Sequence, residues 1–340
     1  MSPPSPDKSS VTAPLPRRVN PVQRYAPWLY ALWKFSRPHT VIGTSLSVVG
    51  LYGMAIALSS TPFRPVSPTD LLPLLAAWFT CLCGNVYIVG LNQLEDVDID
   101  RINKPHLPLA SGEFSQRQGR GIVATTGLLA LVLAPWQGIF LTATVWLSLL
   151  IGTAYSLPPL RLKRFPFWAS VCIFTVRGVI VNLGLFLHAD QTLLIKLAQP
   201  LVEPAVSTQL AIPAPVWALT LFVLVFTFAI AIFKDIPDLE GDRRYNITTF
   251  TVKLGRAAVF RLARGVLTIC YAAMMVAGWL LPSVNGLFIM VTHGIALVAL
   301  WLLSIRVDLA DRGAIARYYQ FIWKLFFLEY ILFPVACLWQ

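Results

Sequence analysis

The sequence predicts an all-α integral membrane protein, with nine transmembrane helices over residues 31–340 behind a disordered tail at 1–30. Three observations carry this. Of the 340 residues 56% are hydrophobic and 13% charged, whereas a soluble domain carries roughly a quarter charged residues. The mean hydropathy is +0.67. Nine apolar runs of roughly 20 residues can be drawn, each long enough to cross a bilayer as a helix.

The tail comes first. From Ser2 to Pro21 it is rich in Pro and Ser and has no apolar stretch of the kind a secretory signal needs. The nine spans follow at 39–59, 71–93, 118–136, 138–156, 165–187, 214–234, 256–280, 284–305 and 320–339. Prolines punctuate their ends, and the segment 190–213 is the longest connection. No linker marks a second domain.

The connections alternate in charge. Arg17, Arg18, Arg24, Lys34 and Arg37 precede the first span, and Arg101, Lys104, Arg117 and Arg120 follow the second. Arg161, Lys163 and Arg164 follow the fourth, Lys234, Arg243, Arg244, Lys253 and Arg256 the sixth, and Arg306, Arg312 and Arg317 the eighth. The other connections hold only Arg64 and Lys196. Basic loops stay on the inner side of a membrane, so the N-terminus is expected in the cytosol or stroma and the C-terminus opposite. The net charge of +11 belongs to this pattern and to the lipid bilayer, not to nucleic acid. Five cysteines form no disulfide or zinc pattern, and four scattered histidines, His39, His106, His188 and His293, suggest structural or interfacial roles.

Two acidic stretches stand out because carboxylates at a membrane edge repel one another and resist desolvation. In the first, Asn92, Asp96 and Asp100 are spaced i, i+4, i+8, one face of a helix. Asp98 points elsewhere. In the second, Asp235, Asp238 and Asp242 are spaced i, i+3, i+7, with Pro237 and Gly241 fraying that helix. They end the second and sixth spans, a suggestion of internal symmetry. Hard divalent cations relieve such clusters: Mg²⁺ takes oxygen ligands, commonly one or two carboxylates plus substrate phosphates. Two clusters on one side could hold two Mg²⁺ ions on a diphosphate.

Basic residues share that side. Arg161 and Lys163 either clamp diphosphate oxygens or only set topology, and Tyr155 is a nearby hydroxyl donor. Arg101, Lys104 and Lys234 flank the acids and join the candidate diphosphate ligands. Arg177 sits in mid-span, where an Arg faces a bundle interior or a water-filled cavity; it either serves a site or pairs with a nearby carboxylate or carbonyl. Asn182, five residues on, and Arg37, where the first span begins, complete a candidate acceptor set with Arg177. A transporter would carry ionisable residues deep in several spans; here nearly all lie at the inner edge.

At these residues the chain resembles the UbiA family of intramembrane aromatic prenyltransferases, over nearly all its length after residue 30. Asn92-xxx-Asp96-xxx-Asp100 and Asp235-xx-Asp238-xxx-Asp242 match the family's two Asp-rich motifs, and Tyr155 to Lys163 its basic loop. Within the family the likeness is to members that prenylate homogentisate. Phe35-Ser36-Arg37-Pro38-His39-Thr40, Gly84 to Leu94, Asp96 to Pro105 and Phe321 to Tyr330 carry it. Many members place Asp after the motif Asn; Gln93 stands there here.

The resemblance implies a nine-helix UbiA-type bundle with a central cavity open to the cytosolic or stromal side. It implies Mg²⁺ dependence, with Asp96, Asp238, Tyr155 and Lys163 as catalytic residues. It implies phytyl diphosphate and homogentisate as substrates, giving 2-methyl-6-phytylbenzoquinol, CO₂ and diphosphate, a step of tocopherol (vitamin E) synthesis. The implied location is a thylakoid or plasma membrane of a cyanobacterium, or a plastid membrane.

Overall fold

The computed structural model describes residues 21–59, 68–197, 212–237, 239 and 249–339. Among them nine helical segments are long and apolar enough to cross a membrane, and their bounds follow the apolar runs closely. The fifth reaches further than its run, to Leu193, and the ninth starts earlier, at Arg312.

The chain enters through α1 (Pro21–Tyr25) and α2 (Pro27–Phe35). The expected tail over 1–30 is therefore too long: residues 21–30 are largely helical, and 1–20 lie outside the described residues. The reason is an amphipathic pattern that a Pro- and Ser-rich composition hides. Ala31 and Phe35 pack with Leu91, Leu109 and Phe114, while Trp28, Leu29 and Trp33 stay exposed, as befits a helix at a membrane interface. Lys34 pairs with Glu113.

The first half continues with α3 (Pro38–Leu58), α4 (Pro68–Glu95), the short α5 (Val97–Asn103) and α6 (Pro108–Ser111), α7 (Gln116–Leu133) and α8 (Ile139–Ser156). Ser115 caps α7 with a full capping box to Gln118, satisfying amides that lipid could not. The fifth span is α9 (Pro166–Phe174), one π-helical stretch at Thr175–Ile180, and α10 (Val181–Leu197). Then come α11 (Ala214–Lys234), α12 (Phe250–Leu254), α13 (Arg256–Leu280), α14 (Gly286–Ile305) and α15 (Arg312–Leu338).

Large apolar side chains such as Leu128, Leu150, Ile269, Val276, Ile295 and Leu302 are exposed on the outside. For a soluble protein that surface would aggregate; for a membrane protein it is the face lipid covers. The interior is aromatic: Phe222, Phe226 and Phe233 of α11 meet Tyr271, Phe260, Phe326 and Tyr318. Helix α3 lies close against α15 because Gly50 lets it: a Cβ there would fall 2.6 Å from the Tyr330 carbonyl oxygen. Such small-residue contacts are how helices associate where lipid is as apolar as they are. α3, α4, α8, the fifth span and α15 together enclose the cavity described next.

Candidate active site

A cavity of about 300 Å³ runs inside the bundle, between Arg37, Asn92 and Tyr155 at the edge and Ser47, Cys81, Thr144 and Leu185 deeper in. Its mouth carries the charge and its depth is mostly apolar.

The first acidic motif lies at the mouth, but not on one unbroken helix. α4 ends at Glu95, Asp96 takes a non-helical conformation (φ −115°, ψ 16°), and α5 begins at Val97. The spacing still works, because the amide of Asp100 donates to the Asp96 carbonyl (2.7 Å) and the Asn92 amide to the Asp96 carboxylate (3.3 Å). Asp98 points outward, where it pairs with Arg101 at 2.9 Å.

The basic loop closes on this motif from the other side. Arg161 reaches Asp96 at 3.2 Å and the Glu95 carbonyl at 3.1 Å, and Lys163 reaches Asp96 at 2.6 Å. Arg37 donates to Asn92 at 3.3 Å. Arg37 and Arg161 are the two non-glycine residues with positive φ among those described, at 53° and 37°. Backbone strain of this kind persists where surrounding contacts hold it, often at functional sites; here both strained residues reach the acidic motif. Burial raises the Asp100 carboxyl above the ordinary carboxylate value, while Lys104 and Arg37 pull it back. Burial lowers the Lys163 ammonium, opposed by its hydrogen bond to Asp96.

Asp100 is 4% exposed, and its Oδ2 has no hydrogen-bond partner. A buried carboxylate oxygen left unpaired is costly, and an all-oxygen set of Asn92, Asp96 and Asp100 suits a hard divalent cation. Among the described residues no group of three His, Cys, Asp or Glu forms a protein-only metal cage. Of the second motif, Asp235 caps the end of α11, next to Lys234, and Asp238 and Asp242 lie outside the described residues.

Four sequence-derived assignments change, the first being Arg37, which reaches Asn92 of the acidic motif and so moves from the acceptor set to the diphosphate end. Arg101 turns away from the mouth to Asp98, both largely exposed, because at i, i+3 it shares the face of α5 that carries Asp98, about 100° round the helix from Asp100. Lys234 is largely exposed beside Asp235, 3.9 Å away, and does not line the cavity. Asn182 is fully buried and already bonded: it donates to the Gly178 carbonyl and accepts from the Tyr330 hydroxyl, both at 2.8 Å. It braces the helices behind the cavity and leaves the acceptor set. Lys104 stays near Asp100, at 3.8 Å. Gln93 also has a structural task, donating to the Phe35 carbonyl at 2.7 Å and so tying α2 to α4.

Arg177 does reach the cavity. Its guanidinium lies over the ring of Trp323, 5.1 Å from the centroid, and 5.8 Å from that of Phe326. Among the described residues no carboxylate pairs with it, and Asp96 is held instead by Arg161 and Lys163. The π-helical stretch explains its aim: the Val181 amide bonds to the Val176 carbonyl, five residues back, so one extra residue swells the turn and shifts the side chain's direction. Gly178 admits Leu224 of α11 at that swelling. No pattern of residue types announces a π turn. The sequence also gave no sign of Trp323 and Phe326 as cavity walls, nor of His39, which lines the cavity rather than an interface. His188 and His293 are core residues, the latter paired with Glu329 at 3.1 Å.

The chain is 53% identical over 312 residues to the homogentisate phytyltransferase of Synechocystis sp. (strain ATCC 27184 / PCC 6803 / Kazusa), covering 92% of this chain and 96% of that one. It is 40% identical over 310 residues to the chloroplastic homogentisate phytyltransferase 1 of Arabidopsis thaliana, covering 90% and 75%. A UbiA homolog from Archaeoglobus fulgidus, solved bound to GPP and Mg²⁺, shares the fold with a TM-score of 0.58 at 16% identity, covering 91% of this chain and 99% of that one. The profile of the UbiA prenyltransferase family matches residues 46–325, from the first spanning helix into the ninth; this multi-pass membrane protein belongs to that family.

Proposed function

We propose that the chain transfers a phytyl group from phytyl diphosphate to homogentisate, giving 2-methyl-6-phytylbenzoquinol, CO₂ and diphosphate, a step towards tocopherol. The observation that carries the reading is the 53% identity, along nearly both full lengths, to a homogentisate phytyltransferase. The cavity supports it, with a cationic and acidic mouth, a mostly apolar depth and one unpaired guanidinium beyond the mouth.

Asn92, Asp96 and Asp100, together with Asp235, Asp238 and Asp242 of the second motif, would hold two Mg²⁺ ions. Bound there, the metal neutralises charge that develops on the leaving diphosphate. Arg37, Arg161, Lys163 and Lys104 take up diphosphate oxygens, Arg161 and Lys163 exchanging their contact with Asp96 for contact with substrate. Tyr155 lines the cavity with its hydroxyl unpaired among the described residues and can donate to the same oxygens. The isoprenoid tail lies in the apolar depth, where water that would quench an allylic cation is excluded.

Arg177 meets the acceptor carboxylate. An anion entering a low-dielectric cavity must meet a cation, and a planar guanidinium held on Trp323 suits a bidentate carboxylate. The electron-rich ring then attacks the allylic carbon. One ring proton is lost as aromaticity returns and one is gained by the side-chain carbon when CO₂ leaves, so the two balance. No covalent bond to the protein is needed. By the charge pattern of its loops, the mouth faces the cytosol or stroma.

The test is purified protein in detergent with homogentisate and a panel of phytyl, geranylgeranyl and solanesyl diphosphates. The expected result is Mg²⁺-dependent quinol and CO₂ with phytyl diphosphate preferred. Failure of homogentisate to react, or a preference for the solanesyl donor, overturns the reading.

A further inference from the structure

His39 is not used by the chemistry above. It sits in the first turn of α3, two residues after Arg37, and lines the cavity. Its ring packs edge-on to Trp323, with centroids 5.3 Å apart and planes at 60°. The same Trp323 carries Arg177, and both Arg177 and Arg37 lie within electrostatic reach of the imidazole. The ring is accessible, and among the described residues no donor or acceptor meets either nitrogen. By contrast, His293 is sealed in the core on Glu329. An imidazole with two unpaired nitrogens on a substrate cavity is placed to exchange a proton.

The order of groups along the wall matches the order of groups on the acceptor. From Arg177 the wall passes the Trp323–His39 pair to Arg37, which holds Asn92 at the acidic mouth. On homogentisate the carboxymethyl group is followed by a hydroxyl, then by the ring carbon that takes the prenyl group. With the carboxylate on Arg177 and the reacting carbon towards the diphosphate, the hydroxyl between them comes to His39.

We propose that His39 is a catalytic residue of the transfer: its imidazole takes the proton of the acceptor hydroxyl that flanks the reacting carbon. The proposal rests on homogentisate as acceptor. The O–H bond breaks towards the imidazole nitrogen, and the oxygen's electron density moves into the ring. The adjacent carbon forms the C–C bond to the first carbon of the prenyl chain, whose C–O bond breaks with its electron pair leaving on diphosphate. When aromaticity returns, the C–H bond of the prenylated carbon breaks, its proton offsetting the one the side-chain carbon gains as CO₂ leaves, and the imidazolium gives its own proton back to the same oxygen. The cations within electrostatic reach of His39, Arg177, Arg37 and Lys104, are by then matched by the carboxylate and the diphosphate, so the imidazolium forms among balanced charges.

The test uses the full chain in detergent with His39→Asn and His39→Ala. General-base catalysis contributes roughly 10²–10⁴-fold, so kcat should fall by at least 10²-fold. The KM for both substrates should stay within a few-fold. Added imidazole should restore turnover to His39→Ala and not to Arg177→Gln. A ring-fluorinated homogentisate with a more acidic flanking hydroxyl should narrow the gap between wild type and variant. A kcat within a few-fold of wild type overturns the proposal, as does a raised homogentisate KM with kcat unchanged. Tryptophan quenching by phytyl diphosphate reports folding independently of turnover: if both variants lose it, His39 is structural and the proposal fails. If wild-type protein does not turn over homogentisate at all, the acceptor reading has failed instead.

Discussion

Replacing Arg177 separates its two possible services, to acceptor or to leaving group. Its guanidinium is stacked 5.1 Å above Trp323 and faces the cavity with no carboxylate partner among the described residues. The diphosphate end of the cavity already has Arg37, Arg161 and Lys163. Arg177→Gln removes the charge and keeps hydrogen-bonding capacity; Arg177→Lys keeps the charge but loses the planar fork and much of the stacking. A lost contact to a buried charge costs about 2–5 kcal/mol, or roughly 30-fold to more than 10³-fold in affinity. The KM for homogentisate should rise at least tenfold in both variants, more in Arg177→Gln, while that for phytyl diphosphate changes less than threefold. Steady-state assays with each substrate varied in turn, at saturating Mg²⁺, measure both. A raised phytyl diphosphate KM with homogentisate unaffected refutes the acceptor assignment and gives Arg177 to the leaving group.

Other expectations follow from the same structure. Asp96→Asn should abolish most turnover while leaving the protein folded, since the residue sits at the membrane edge and not in the core; a near-normal rate at saturating Mg²⁺ would exclude the metal site at the first motif. Single cysteines placed in 94–117, 157–164 and 235–255 should all label from the side of the N-terminus in sealed vesicles, and a split result sinks the shared mouth. Gly50→Ala should lower the thermal midpoint in detergent, because its Cβ would press on the Tyr330 carbonyl at 2.6 Å; overpacking of this kind costs about 1–3 kcal/mol.

The spanning helices were legible in the sequence because lipid imposes one local rule, an apolar run of sufficient length. The first acidic motif was legible for a similar reason: four-residue spacing survives the break at Asp96, since the Asp100 amide still reaches the Asp96 carbonyl. Charge sidedness put Arg161 and Lys163 on the side of the acidic motifs, but their pairing with Asp96, more than 60 residues away, is something only the folded bundle reveals. What local pattern could not reveal was direction and distant company. Arg101 and Lys104 read alike in sequence, yet one faces Asp98 and the other Asp100. Asn182 looked available until Tyr330, 148 residues away, was found on its oxygen. His39 looked like one scattered histidine until α15 brought Trp323 against it.

The swollen turn at Thr175–Ile180 has a consequence for how acceptor choice could change. A π turn accommodates one residue beyond what a regular helix of the same rise requires. Deleting a single residue there would let the segment rewind as α-helix with the flanking turns of the span still in register. The guanidinium, however, would swing around the helix axis by about half of the 100° that one residue spans, away from Trp323. Substitutions trade one side chain for another at a fixed address, whereas this turn makes the address itself adjustable. Between two relatives, the length of this one span, and not the identity of any residue in it, could mark the line between acceptors that carry a carboxylate and acceptors that do not.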